Sequence, residues 1–240
     1  MRIHNAFIKA GVAVGLLLLL AGSALRAETP ATQSSSAKLT KVACVGDSIT
    51  YGSRIEDRAH DSYPAQLGRM LGDQYNVRNF GVSGATLLKK GDRPYNKTKE
   101  YQPALDFAAD IVVIMLGTND SKPQNISHKD EFVADYDDLV AQFRKANPDA
   151  KVYVCLPVPA FPANYKITEE VIANQILPMV KQAAADTGAT LIDLHTALQS
   201  QASHFPDKVH PDAAGAGAMA AAVYEALTGK PAPSTAPVVR

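Results

Sequence analysis

Six consecutive apolar residues, Ile111-Val112-Val113-Ile114-Met115-Leu116, most constrain what this chain can fold into. A strand apolar on both faces must be covered on both sides, which is the situation of a central strand in a parallel sheet. Similar short runs occur at about 41–46, 76–80, 151–156 and 189–194, separated by longer amphipathic stretches. That alternation predicts a sheet with crossover helices, an α/β architecture of three layers. Between the strands, Ser62 is placed to start a helix with Pro64 in its first turn and Gly72 as its stop. Phe132, Val133, Tyr136, Leu139, Val140 and Phe143 fall on one stripe of a helix over about 130–146. Thr168 is placed to cap a further helix, which Pro178 should kink. A last helix runs from about 211 to 227, with Gly229 as its end.

Five such strands suggest the flavodoxin-like order 2-1-3-4-5. Ligands in that arrangement bind beyond the C-terminal strand ends, at the switch between strands 1 and 3. Ser48 follows strand 1 and Asn119 follows strand 3. Cys44 and Cys155, on strands 1 and 4, should lie roughly 9–10 Å apart across the intervening strand. That is too far for a disulfide, so both are read as buried free thiols.

The 240 residues carry a formal net charge of zero, which disfavours nucleic acid as a partner. Arg2, His4 and Lys9 precede an apolar stretch from about Gly11 to Ala24, and Ala27 offers a cleavage point. This reads as a signal peptide over 1–27, too short in its apolar part for the ~20 residues of a spanning helix. Export to the periplasm or beyond follows, without stable membrane insertion of the mature chain. Residues 28–38 read as a flexible linker, 39–229 as one domain, and 230–240, with Pro231, Pro233 and Pro237, as a disordered tail. Oligomeric state is not legible.

Gly46-Asp47-Ser48 sits directly after the first strand, and Asp207-Lys208-Val209-His210 lies near the end of the chain. A serine needs a base to become a nucleophile at neutral pH. A carboxylate three residues before a histidine can orient one ring nitrogen and leave the other to that serine. Either motif alone has a bland reading, a helix N-cap or a solvated loop pair. Candidates to meet an oxyanion are the Ser48 amide, the amide of Gly84, which no side chain shields, and the side-chain NH2 of Asn119; taken alone, Gly81 and Gly84 read as a turn and Asn119 as closing an Asx-turn. Asp47 and Asp120 are expected to bond backbone amides of their turns. Asp193, His195 and His204 lack tight ligand spacing, so no metal site is read and they are taken as solvated loop residues. Asn96-Lys97-Thr98 and Asn125-Ile126-Ser127 match the glycosylation pattern.

Gly46-Asp47-Ser48-Ile49, Gly84, Gly117-Thr118-Asn119-Asp120 and Asp207-x-x-His210 together resemble the four sequence blocks of the GDSL-type, or SGNH, hydrolase family, over roughly residues 40–228. Ile49 stands where the family name has Leu. The resemblance implies the SGNH hydrolase fold, with Ser48 as nucleophile and His210 as base held by Asp207. It implies an oxyanion hole of Ser48, Gly84 and Asn119, and no metal or cofactor. The chain is similar to members that act as carbohydrate or sialate O-acetylesterases. An open rim bearing Tyr95, Tyr101 and Phe161 suits a small or glycan ester substrate. One rival is a lysophospholipase or thioesterase with Leu87, Leu88, Val158, Phe161 and Tyr165 along an acyl groove. The other is a non-catalytic glycan- or anion-binding module.

Overall fold

The computed structural model describes residues 38–161 and 164–233. Five parallel strands form one sheet in the order β2-β1-β3-β4-β5. They are β1 (Thr40–Gly46), β2 (Tyr75–Gly81), β3 (Ile111–Met115), β4 (Lys151–Cys155) and β5 (Thr190–Ile192). β1 lies between β2 and β3, with Val45 opposite Phe80 on one side and Ile114 on the other. The expected order and the three-layer arrangement are both present.

Side chains alternate across each strand, so the two faces bury different partners. Ala43, Val45, Val112 and Ile114 join one core with Phe132, Tyr136, Leu139, Val140 and Phe143. Val42, Cys44, Val113 and Met115 join the other with Tyr63, Leu67, Met219, Ala220 and Val223. The covering helices are α2 (Tyr63–Leu71), α3 (Phe132–Ala146), α4 (Leu177–Thr187) and α5 (Ala213–Thr228). They follow α1 (Ser48–Tyr51), a single turn at the end of β1. α3 and α4 lie on the first face, α2 and α5 on the second.

The ends of these helices follow from sequence. Asp212 caps α5 by accepting from the Gly215 amide, and Gly229 closes it in the left-handed region at φ 68°. Pro178, expected to kink its helix, falls in the first turn of α4, directly after a π-helical segment, Ile172–Ile176, that interrupts the α-helical hydrogen bonding there. β5 is shorter than expected, because Asp193 accepts from the Thr196 amide and caps a helix at Leu194–Leu198.

Cys44 and Cys155 are buried and free. Burial pushes the Cys44 thiol up to about 12 and the Cys155 thiol higher still, so neither is reactive. The expected signal peptide lies outside the described residues, as does the linker apart from Lys38. Of the expected disordered tail, residues 230–233 are described; the Lys230 amide bonds the Thr228 hydroxyl and the Ala232 amide bonds Glu225. Among the described residues no helix is long and apolar enough to cross a membrane.

Two glycines let α1 fold back onto the strand ends. A Cβ at Gly46 would lie 2.1 Å from Thr50 Oγ1 and 2.6 Å from the Met115 carbonyl oxygen. A Cβ at Gly81 would lie 2.3 Å from the Tyr51 amide nitrogen, a backbone atom that cannot swing away. Gly81→Ala should therefore push α1 off the sheet and cost about 3 kcal/mol, read as a lower urea midpoint with the slope unchanged. A midpoint equal to wild type would refute the close approach.

Candidate active site

The C-terminal ends of β1, β2 and β3 carry the loops that form the site. Ser48 is the first residue of α1 and is 8% exposed. Asp47 precedes it and accepts from the Ile49 amide at 2.9 Å. The C-terminal turn brings His210 to the same place. Its Nε2 is 2.8 Å from Ser48 Oγ, across 162 residues of chain. Its Nδ1 is 2.8 Å from Asp207 Oδ2. Asp207 Oδ1 accepts from the amides of His210 at 2.7 Å and Val209 at 3.1 Å.

The charge state of Asp207 assigns the protons. Burial works to raise its carboxyl, but the His210 amide, the His210 ring and the Val209 amide outweigh that and hold it at about 2. An ionised carboxylate only accepts, so Nδ1 of a neutral His210 donates to Asp207. Nε2 is then left to accept the Ser48 hydroxyl proton. The three groups form one directed chain, with each proton already placed for transfer from Ser48 to His210.

Gly84 has φ 78°, a backbone that disfavours any Cβ, with the Arg93 side chain lying over it. Among the described residues neither its amide nor that of Ser48 has an acceptor. The Asn119 side chain is 4% exposed. Its NH2 donates to the Ala85 carbonyl at 3.1 Å and reaches Asp47 Oδ2 at 3.4 Å. The second contact is long for a hydrogen bond, so that N–H is the one open to another acceptor.

Buried polar side chains fix these loops to one another. Asp120 Oδ2 accepts from the Leu87 amide at 3.0 Å and Oδ1 from the Leu88 amide at 2.8 Å. Asn125 accepts from the Asp92 amide and donates both to Asp92 Oδ1 and to the Asn119 carbonyl. At 1% exposure and fully engaged, Asn125 is not a glycosylation acceptor. Burial raises Asp47 to about 6 and Asp120 to about 7, against the pull of their amide donors.

Several expected positions need correction. Tyr95 is 1% exposed and its hydroxyl donates to the Phe80 carbonyl, so it is a core residue and not a rim for substrate. Tyr101 packs edge-on against it at 6.1 Å, half-buried on the same core. Both were carried inward because the loop after Gly84 folds back on itself, with Thr86 bridging Pro94. Phe161 does lie beside the Asp207–His210 turn; its ring is 4.9 Å from Phe205 and its amide donates to the Lys208 carbonyl. Leu87, Leu88 and Val158 are buried in the two cores and line no acyl groove. His195 is not a solvated loop residue: it is 8% exposed and paired with Glu169 at 2.6 Å. His204 pairs with Asp212 instead, and among the described residues no three His, Cys, Asp or Glu side chains gather as a metal would need.

Arg54, which no sequence motif marks, also reaches the site. Its Nε lies 3.3 Å from Asp207 Oδ2 and its Nη2 donates to the Tyr165 hydroxyl at 2.7 Å. No local pattern marks a contact that spans 111 residues.

The sequence from residue 44 to 218 matches the GDSL-like lipase/acylhydrolase family. The chain belongs to that family. An acetylxylan esterase from Xylanibacter ruminicola is 40% identical over 205 residues, covering 78% of this chain and 43% of that protein. The chain thus spans less than half the length of that relative. A carbohydrate acetylesterase from Sinorhizobium meliloti superposes with a TM-score of 0.65 at 20% identity, over 79% of this chain and 99% of that one. The aryl esterase of M. smegmatis gives 0.65 at 21%, also over 79% and 99%. At these identities the likeness to the two structures is one of fold, the SGNH hydrolase fold.

The raised Asp120 carries a sign for stability. Its folded-state value of about 7 exceeds the ordinary 3.8, so the folded protein holds a proton that the unfolded chain releases. That contribution is complete below the ordinary value and is lost as pH rises through about 7. Asp120→Asn should therefore flatten the fall in urea midpoint between pH 5 and pH 8. Asp47 keeps part of the slope in the variant, having the same sign. An equally steep fall in wild type and variant would remove Asp120 from this role.

Proposed function

We propose that this protein is an exported serine esterase that removes O-acetyl groups from carbohydrates through an acyl-enzyme on Ser48. The hydrogen-bonded chain Ser48–His210–Asp207, at 2.8 Å for each side-chain link, carries the reading. Ser48 Oγ attacks the acetyl carbonyl carbon while His210 Nε2 takes its proton. Asp207, already ionised, steadies the imidazolium that forms. The oxyanion faces the free amides of Ser48 and Gly84 and the loosely held N–H of Asn119. Collapse of this intermediate expels the sugar oxygen, which takes the proton from His210. Water enters, gives a proton to His210 and attacks the acetyl-Ser48 carbonyl. Acetate leaves as the proton returns to Ser48. No step asks for a metal or cofactor.

Choice of acyl group rests on packing. Of the five residues that would have lined a long groove, Leu87, Leu88 and Val158 are committed to the interior, which leaves Phe161 and Tyr165 beside the site, too few for a long chain. A small acyl group needs no such groove, and the acetylxylan esterase relative supports an acetylated glycan as the alcohol side. The non-catalytic alternative leaves the proton-ordered contact of Ser48 with His210 without a purpose.

Ser48→Ala should lower the turnover of p-nitrophenyl acetate roughly 10⁴–10⁶-fold while leaving the thermal midpoint near that of wild type. A fluorophosphonate should label Ser48 in the wild type alone. Activity retained by the variant would discard the mechanism. Faster hydrolysis of palmitate than of acetate esters, or no acetate released from acetylated xylan, would discard the substrate class.

A further inference from the structure

We propose that Arg54 and Tyr165 are positioning residues which hold Asp207 and set the lower end of the pH range in which the Ser48–His210 pair works. The proposal rests on the serine-esterase reading above.

Three segments meet at one oxygen. Asp207 Oδ2 accepts from His210 Nδ1 at 2.8 Å and from the Tyr165 hydroxyl at 3.1 Å. Arg54 Nε stands 3.3 Å from the same oxygen, and Arg54 Nη2 donates to the Tyr165 hydroxyl. Arg54, Tyr165 and Asp207 thus close a triangle, each touching the other two. The Tyr165 ring also stands edge-on to the His210 imidazole, 5.6 Å between centres. Asn164 ties the loop down by donating to the Asp207 carbonyl and accepting from the Tyr165 amide.

The backbone is bent to make this contact. Among the described residues five non-glycine positions have positive φ, and four of them serve these segments: Arg54 at 72°, Tyr165 at 54°, Lys166 at 63° and Lys208 at 72°. Such conformations are costly for residues with a Cβ and persist where surroundings enforce them. Stability does not explain the expense, because the Arg54 side chain is 60% exposed and ion pairs so exposed contribute little. The arrangement is aimed at Asp207, and Asp207 is aimed at His210.

The chemical effect follows from charge. A carboxylate beside an imidazole favours the imidazolium. A guanidinium on the far side of that carboxylate cancels part of its field, so His210 is left free to accept a proton from Ser48 at more acidic pH. The other groups that face the pair are few. Asp47, beneath the start of α1, interacts through its charge with His210, and Lys122 acts on Asp47 in turn. Lys208 lies exposed in the triad turn itself. None of these closes on Asp207 Oδ2 as Arg54 does.

The test compares kcat/KM for p-nitrophenyl acetate across pH 5–9 in wild type, Arg54→Gln, Arg54→Lys and Tyr165→Phe. Arg54→Gln should move the acid limb to higher pH by roughly half a unit, the size expected of one exposed, screened charge at this range. Arg54→Lys, which keeps the charge, should leave the limb within a small fraction of that shift. Tyr165→Phe keeps the ring and removes the hydroxyl that seats the guanidinium. It should lower kcat about tenfold with KM little changed, as a misaimed base does. An Arg54→Gln profile that superimposes on wild type overturns the proposal, as does an Arg54→Lys limb displaced as far as the Gln variant. If Arg54→Gln does not fold, Tyr165→Phe decides: wild-type kcat overturns the proposal, and the tenfold loss upholds it. Wild type without ester hydrolysis and without fluorophosphonate labelling would sink the esterase reading itself, a result distinct from any of these.

Discussion

Buried side-chain-to-backbone hydrogen bonds, made by Asp47, Asp120 and Asn125, are what the rest of this site depends on. Loops at strand ends have no ladder to satisfy their amides, and at Ile49, Leu87 and Leu88 they are too enclosed for water to do so. Asp47 takes the Ile49 amide, Asp120 takes those of Leu87 and Leu88, and Asn125 takes that of Asp92. Each bond runs within or between the loops after β1, β2 and β3. Two buried carboxyls pushed toward neutral pH are the cost of the arrangement. In return Ser48, Gly84 and Asn119 are held by groups that have no better partners to turn to.

The same logic separates two kinds of aspartate that look alike in the sequence. Asp47 and Asp120 lie in closed surroundings where burial dominates, and their acidity falls. Asp207 sits at the rim, collects five polar contacts, and stays ionised down to about 2. Only Asp207 also bonds the His210 ring, at 2.8 Å; Asp47 reaches it through charge alone. Distance along the chain is no guide here: Asp47 is the immediate neighbour of Ser48, yet its carboxylate faces the Ile49 amide.

Much of the fold was legible because periodicity reports burial. β3 reads as a two-sided buried strand, and β1 beside it is likewise buried on both faces from Val42 to Val45. That Ser48, Asp207 and His210 meet was legible for a different reason, since serine, aspartate and histidine in that order stand in blocks that resemble those of one family. Tyr95 and Tyr101 were misread because an aromatic in a charged segment looks like a rim residue. Its inward turn depends on the Thr86–Pro94 bridge, which no short window of sequence encodes. Leu87 and Leu88 were misread for the same cause: Asp120, more than thirty residues on, sets where their backbone lies.

By itself the sequence determined the succession of five strands with covering helices, the two-sided burial of β3 and the glycine ends of α2 and α5, because each is a property of neighbours along the chain. Tertiary structure alone decided which residues face one another. It placed His210 on Ser48 across 162 residues, closed Arg54 and Tyr165 around Asp207, and took Tyr95 out of reach of any substrate. The physical reason is that hydrogen bonds and charge interactions act over a few ångströms of space, and that separation exists only once the sheet has brought its loops to one end.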